Sequence, residues 1–197
     1  MNIEACVELP ISDGKVGDFK VESFFVSEEQ AKIFNMKQDI KGLGRGIISG
    51  EYKRLIFKNE VVMSNTPAEI YDHIPFFREV QKRGGHILIN GLGLGMCINA
   101  VLEFKNIKSI TVYELEQDVI DLVAPTFFDD EKVHIVKRNA FDGPASPDCH
   151  FDVVWHDIWS DICHDNYWNM LNLMEKYDLC CDWQSCWCMD ICARLVE

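Results

Sequence analysis

Hydrophobic positions change their spacing near residue 66. Ahead of that point they mostly alternate with polar ones and are broken by turn residues. Ile3–Leu9 and Phe19–Val26 have strand character and flank a Ser12-Asp13-Gly14 turn signal. Ser27-Glu28-Glu29-Gln30 has capping-box spacing, in which two side chains satisfy free amides at a helix start. That helix fades toward Gly42-Leu43-Gly44. Tyr52–Phe57 and Val61–Ser64, parted by Lys58-Asn59-Glu60, read as a hairpin. Thr66-Pro67-Ala68-Glu69 is a second helix start, with proline in the first turn and glutamate placed to complete the box. The helix should run to about Arg83 and stop at Gly84-Gly85, with Pro75 kinking or shortening its first part.

Beyond this helix, strand and helix patterns alternate. Strands are predicted over His86–Asn90, Ser109–Tyr113, Lys132–Lys137 and Phe151–His156. Helices are predicted over Met96–Phe104, Gln117–Val123 and Asp165–Tyr177, the last with Met170, Met174 and Tyr177 on one face. A final helix is marked by Trp187, Cys188, Ile191, Cys192 and Leu195, and a fifth strand has room near Leu179–Trp183. The expected fold is α/β: a mostly parallel sheet with helices on both faces, shortened after its fourth or fifth strand. A small β-rich module, residues 1–65, precedes it, and residues 66–197 form the sheet domain.

Charge narrows the choice of ligand. Acids outnumber bases 32 to 19, a formal net charge of -13, and such a field repels phosphates. This argues against nucleic acid as a partner and favours a neutral or cationic small molecule. The amino terminus, Met1-Asn2-Ile3-Glu4, has no basic or apolar leader pattern, and no apolar run reaches the 18 or so residues of a membrane span. The odd number of cysteines, nine, suits free thiols. A cytoplasmic protein is expected.

Gly91-Leu92-Gly93-Leu94-Gly95 lies between a predicted strand and a predicted helix. Glycines there permit a tight turn and remove side chains where a ligand must approach the backbone. Glu114 follows at the tip of the next strand, where a carboxylate can accept both hydroxyls of a ribose. After the third strand comes Arg138-Asn139-Ala140-Phe141-Asp142, with a polar group for an adenine edge and apolar neighbours for its ring. Three such elements in this order at strand ends predict a nucleoside-bearing ligand.

Ile87–Gly95, Val112–Ile120 and Phe151–Asp157 resemble the successive motifs of Rossmann-like (class I) S-adenosylmethionine (SAM)-dependent methyltransferases. The likeness is strongest to the spermidine-synthase-like branch and to small phage-encoded members, and it spans about Tyr52–Asp161. It implies SAM as cofactor, with Gly91, Gly93 and Gly95 around its methionine part, Glu114 on the ribose, and Asn139 with Ala140 at the adenine. It implies Asp157 beside the sulfonium as the catalytic residue. Asp161, Trp159 and Tyr71 would lie on the acceptor side. Leu94 stands where aminopropyltransferases carry an aspartate, which favours ordinary SAM and methyl transfer.

The acceptor is expected to be a small molecule, an amine suiting the charge best; a second copy of the chain is allowed as a partner. Aminopropyl transfer and a catalytically silent SAM-binding or interaction protein remain as alternatives. His156 should point away from Asp157 and pack against a helix, because adjacent strand residues face opposite ways. Trp155 should be core. The cysteines at 180, 181, 186, 188 and 192 lack the paired spacing of structural zinc sites and are read as small buried hydrophobes, so no metal is expected.

Overall fold

The computed structural model describes residues 8–40 and 45–196. Most of the strand expected over Ile3–Leu9, and the helix end at Gly42–Gly44, therefore lie outside the described residues. Two sheets organise the rest. The first is antiparallel, with β1 (Gly14–Val16), β2 (Phe19–Val26), β3 (Gly50–Phe57) and β4 (Glu60–Ser64) in that spatial order. Its first reversal falls at Gly17-Asp18 and not at Ser12–Gly14. Asp13 is instead a side-chain anchor, accepting hydrogen bonds from Ser23 N–H (2.9 Å) and Lys53 Nζ (2.7 Å). Lys58 and Asn59 both adopt positive φ, as a two-residue turn between twisted strands requires.

The helix α1 (Glu28–Ile40) opens on the expected capping box: Ser27 N–H donates to Gln30 Oε1 at 2.8 Å, and Gln30 N–H to Ser27 Oγ at 3.2 Å. The second box does not form. The Thr66 hydroxyl meets Ser64 Oγ at 3.0 Å, and Glu69 turns toward Arg45. The helix that follows is broken at His73 into α2 (Pro67–Asp72) and α3 (Ile74–Arg83). Pro75 has no amide to give the Tyr71 carbonyl, so the ladder cannot continue.

The second sheet holds β5 (Gly85–Asn90), β6 (Ile107–Glu114), β7 (Val133–Lys137), β8 (Val153–His156) and β9 (Gln184–Cys186), all parallel. Their spatial order is β7-β6-β5-β8-β9, so the chain reverses its direction of travel across the sheet between β7 and β8. That is the Rossmann-like order. The connecting helices are α4 (Met96–Leu102), α5 (Gln117–Val123), α6 (His164–Glu175) and α7 (Met189–Arg194). β9 lies beyond the Leu179–Trp183 stretch expected for it; Leu179 is fully exposed, and pairing starts with the isolated bridge Phe151–Cys181.

Alternation along the strands splits the core in two. Ile87, Ile89, Ile110, Val112, Val153 and Trp155 face α3, α4 and α5, while Leu88, Tyr113 and Val154 face Leu173 of α6 and Tyr177. Phe19, Val21 and Leu55 of the antiparallel sheet join the first core, so that sheet sits over the carboxyl ends of β5 and β6.

Candidate functional site

A cavity of about 440 Å³ opens where the antiparallel sheet meets the carboxyl ends of the parallel strands. This is the place open α/β sheets use for ligands, and the size suits a small molecule. Backbone bonds draw the strand ends together: Gly91 N–H donates to the Tyr113 carbonyl and Asp157 N–H to the Asn90 carbonyl, both at 2.8 Å.

Two glycines that line the cavity are required by space. Gly91 has φ +102°, and a Cβ on it would lie 2.0 Å from the Asp157 carbonyl oxygen. Gly93 has φ +51°, and its Cβ would lie 2.3 Å from Met63 Sδ. Met63 belongs to β4, so the amino-terminal hairpin closes over the turn; the Leu94 N–H points at its sulfur, 3.4 Å away. Gly91 and Gly93 line the cavity. Gly95 does not: it starts α4 from behind, against Phe127, and Leu94 is buried in the core.

Glu114 ends β6 facing the turn. Its Oε2 accepts the Leu92 N–H at 2.8 Å and its Oε1 the Glu116 N–H at 2.9 Å. Each oxygen keeps a lone pair for a further donor. At the same end, Asn139 Oδ1 accepts the Phe141 N–H at 3.0 Å, leaving the amide NH2 as its donor. Ala140 is buried beside it, and its carbonyl accepts the Tyr177 hydroxyl at 2.7 Å. Arg138 is spent on the loop, donating to the carbonyls of Gly143 (2.9 Å), Pro144 (3.2 Å) and Asp142 (3.3 Å). It is the one cationic residue among the described residues lining the cavity.

The opposite end is acidic. Asp157, Ile158, Trp159 and Ser160 come from the loop after β8, and Glu69 reaches in from α2. Burial pushes the Asp157 carboxyl well above the usual carboxylate range, and the negative charges of Glu69, Asp72 and Glu114 push the same way. Burial likewise raises Glu69 to about 7 against the pull of Arg45. Arg45 also pairs with Asp72, its Nε donating to Oδ1 at 3.1 Å.

Besides Gly95, two more expected residues are not brought to the cavity. Tyr71 is 62% exposed, because α2 buries Ala68 and Ile70 and so turns Tyr71 outward. Asp161 is exposed where the chain enters α6, its carbonyl accepting Asn166 Nδ2 at 2.7 Å. Trp159 does line the cavity. His156 is buried on the far face: Asn90 Nδ2 donates to its Nδ1 at 2.7 Å, which leaves Nε2–H to donate to Gln184 Oε1 at 3.0 Å. Burial lowers its pKa to about 4. Cys180, Cys186, Cys188 and Cys192 are buried, and burial raises their thiols.

Some lining residues gave no signal as site residues. Phe19, Leu55, Phe57, Val62 and Met63 read as strand core, and Glu69 as half of a capping box. His73 went unassigned. It is wholly buried beneath Asp157, its Nδ1 accepting Trp155 Nε1–H at 3.2 Å. Its Pro75-marked helix break was the available clue.

Neither a protein-family model nor a curated protein sequence matches the chain. Solved structures do. A spermidine synthase from Thermotoga maritima is 16% identical, with a TM-score of 0.45, over 80% of this chain and 50% of that one. A putative caffeoyl-CoA O-methyltransferase from Staphylococcus aureus is 16% identical, with a TM-score of 0.43, over 55% and 51%. A ribosomal protein L11 methylase from Lactobacillus delbrueckii subsp. bulgaricus is 13% identical, with a TM-score of 0.44, over 58% and 54%. The chain spans about half the length of these structures. No helix among the described residues is long and apolar enough to cross a membrane.

Proposed function

We propose that the chain is a SAM-dependent methyltransferase acting on a small-molecule acceptor, an amine by preference. The observation that carries this reading is Glu114, its carboxylate held by the Leu92 amide against a glycine turn with no room for a side chain. The residues fit the cofactor. Glu114 has lone pairs for two ribose hydroxyls, the Asn139 NH2 can reach an adenine edge, and Ala140 with Phe141 can cover the ring. Gly91 and Gly93 leave space for the methionine part. When bound, SAM supplies a methyl group on a positively charged sulfur, a strong electrophile. The protein's share is then to align the acceptor and exclude water. Ile158 and Trp159 screen the acidic end, and Asp157 would orient an amine and take its proton.

An aminopropyl donor is the second reading. It is favoured by the acidic side chains Glu69, Glu114 and Asp157 in a cavity where Arg138, the one cation among the described lining residues, is occupied by carbonyls. A tail bearing an amine and no carboxylate suits that field, although Leu94 leaves no acid in the turn itself.

Thermal unfolding with added ligand tests both. SAM and S-adenosylhomocysteine should each raise the melting temperature, as a ligand of the native state must. Glu114→Ala should weaken both by about 1–3 kcal/mol, the loss of a charge-assisted bond. A larger shift with decarboxylated SAM would move the assignment to the second reading. No shift with any of the three would remove both.

A further inference from the structure

We propose that His73 is a positioning residue for Asp157: its buried Nε2–H is set to receive the carboxylate that forms when a cationic ligand enters the cavity, and that entry sends the Asp157 proton to solvent. The inference rests on the SAM reading for the identity of the cation.

The geometry fixes the tautomer. Trp155 Nε1–H donates to His73 Nδ1 at 3.2 Å, so a neutral ring carries its proton on Nε2. The neutral ring is enforced by its surroundings: it is wholly buried, with Trp155 edge-on at 5.9 Å and Phe77 at 6.1 Å between ring centres. Burial, with Arg45 nearby, lowers its pKa to about 3. Among the described residues Nε2 has no hydrogen-bond partner, and a buried unpaired donor is costly. Asp157 Oδ2 lies 3.7 Å from it, a small side-chain rotation short of a hydrogen bond.

Burial and the charge around Asp157 keep its carboxyl protonated, and so a weaker acceptor for Nε2–H than a carboxylate would be. Glu69 and Asp72 face it from α2, Glu114 from β6, Cys97 sits beside His73 on α4, and Cys186 faces it from β9. Arg45 is engaged by Asp72 and Glu69. A further carboxylate charge among these is unfavourable, and Asp157 keeps its proton. A sulfonium or ammonium group in the cavity would offset that negative field. Asp157 then ionises, its proton leaves to solvent, and His73 donates to the new carboxylate while retaining its own proton.

His73, Cys97 and Asp157 each place a potential ligand atom within 4.8 Å of the others, which invites a metal. The Trp155 bond argues for the donor role instead. It occupies the Nδ1 lone pair, and the other nitrogen bears hydrogen.

Calorimetric titration in buffers of different ionisation enthalpy counts the protons. SAM should release protons near neutral pH, whereas S-adenosylhomocysteine, without the sulfonium charge, should release far fewer. Asp157→Asn should abolish the difference. His73→Phe should move the pH of half-maximal release up by about one unit, a tenfold change in proton affinity, and His73→Gln, which restores a donor, should bring it back. Equal release by the two ligands, or release unchanged in Asp157→Asn, overturns the proposal. Failure of SAM to bind at all would instead count against the cofactor assignment. Nitrogen NMR of His73 in the free protein then decides this proposal: an Nε2–H tautomer whose signal follows a titration absent from Asp157→Asn supports it. An Nδ1–H tautomer, no titration, or zinc uptake lost in Cys97→Ser overturns it.

Discussion

Replacing Gly91 by alanine is expected to lower stability by about 4 kcal/mol and to eliminate ligand-dependent stabilisation. Two costs combine. An L-residue at φ +102° is strained by about 1–3 kcal/mol. The new methyl would also sit 2.0 Å from the Asp157 carbonyl oxygen, and forced overpacking costs about 1–3 kcal/mol more. That oxygen is backbone and cannot swing aside. It moves only if the ends of β5 and β8 part, and with them the 2.8 Å bond from Asp157 N–H to Asn90. Urea unfolding reads the first effect and thermal shift with S-adenosylhomocysteine the second. Gly143→Ala is the control, since Gly143 also has positive φ (+73°) but its Cβ would meet nothing closer than 3.7 Å. It should show the strain alone, about 2 kcal/mol. Equal losses in the two variants would mean that the close approach at Gly91 is relieved cheaply.

The elements that carry this turn were readable because local chemistry sets them. Phe19–Val26 and Gln117–Val123 have the expected bounds, and the alternation of strands and helices fixed a parallel sheet whose carboxyl ends bear Gly91, Glu114, Asn139 and Asp157. What stayed hidden depends on contacts remote in sequence. Met63 reaches the turn 30 residues on because the antiparallel sheet folds over it, and nothing in the local pattern of β4 marks that face. Glu69 does not close its capping box because Arg45 and the Ser64 amide hold its carboxyl instead. The resemblance puts Tyr71 on the acceptor side, yet α2 buries Ala68 and Ile70 and so turns Tyr71 outward. The displacement of β9 has the same kind of cause. Gln184 pairs in register with Val154, from where its side chain accepts the His156 Nε2–H, and that pairing, not the apolar run before it, sets where the strand begins.

That pairing makes the second large effect a dependence on pH. The stability of the wild type relative to His156→Gln should fall by about 1.4 kcal/mol per unit as pH drops from 6.5 toward 4, about 3 kcal/mol in all. In the native state burial holds the His156 pKa near 4, while in the unfolded chain it is about 6.5. Above 6.5 both states are neutral and contribute no slope. Between the two values the unfolded chain binds a proton that the native protein refuses, so each step down favours unfolding. Below about 4 both bind it and the loss levels off. Asp157 and Glu69 work the other way, since their raised native pKa values let the folded state hold protons the unfolded chain has lost. These groups and His73 are shared by both proteins, so they largely cancel in the difference, which urea unfolding at a series of pH values measures. Parallel curves would show that the imidazole titrates freely in the native state. The effect reaches the cavity through polar contacts: His156 holds Asn90, whose Oδ1 lies 3.4 Å from the Tyr177 hydroxyl, and that hydroxyl donates to the Ala140 carbonyl at 2.7 Å. A proton forced onto Nδ1 would displace the Asn90 amide, loosening the Ala140 wall of the proposed adenine slot before the sheet itself gives way.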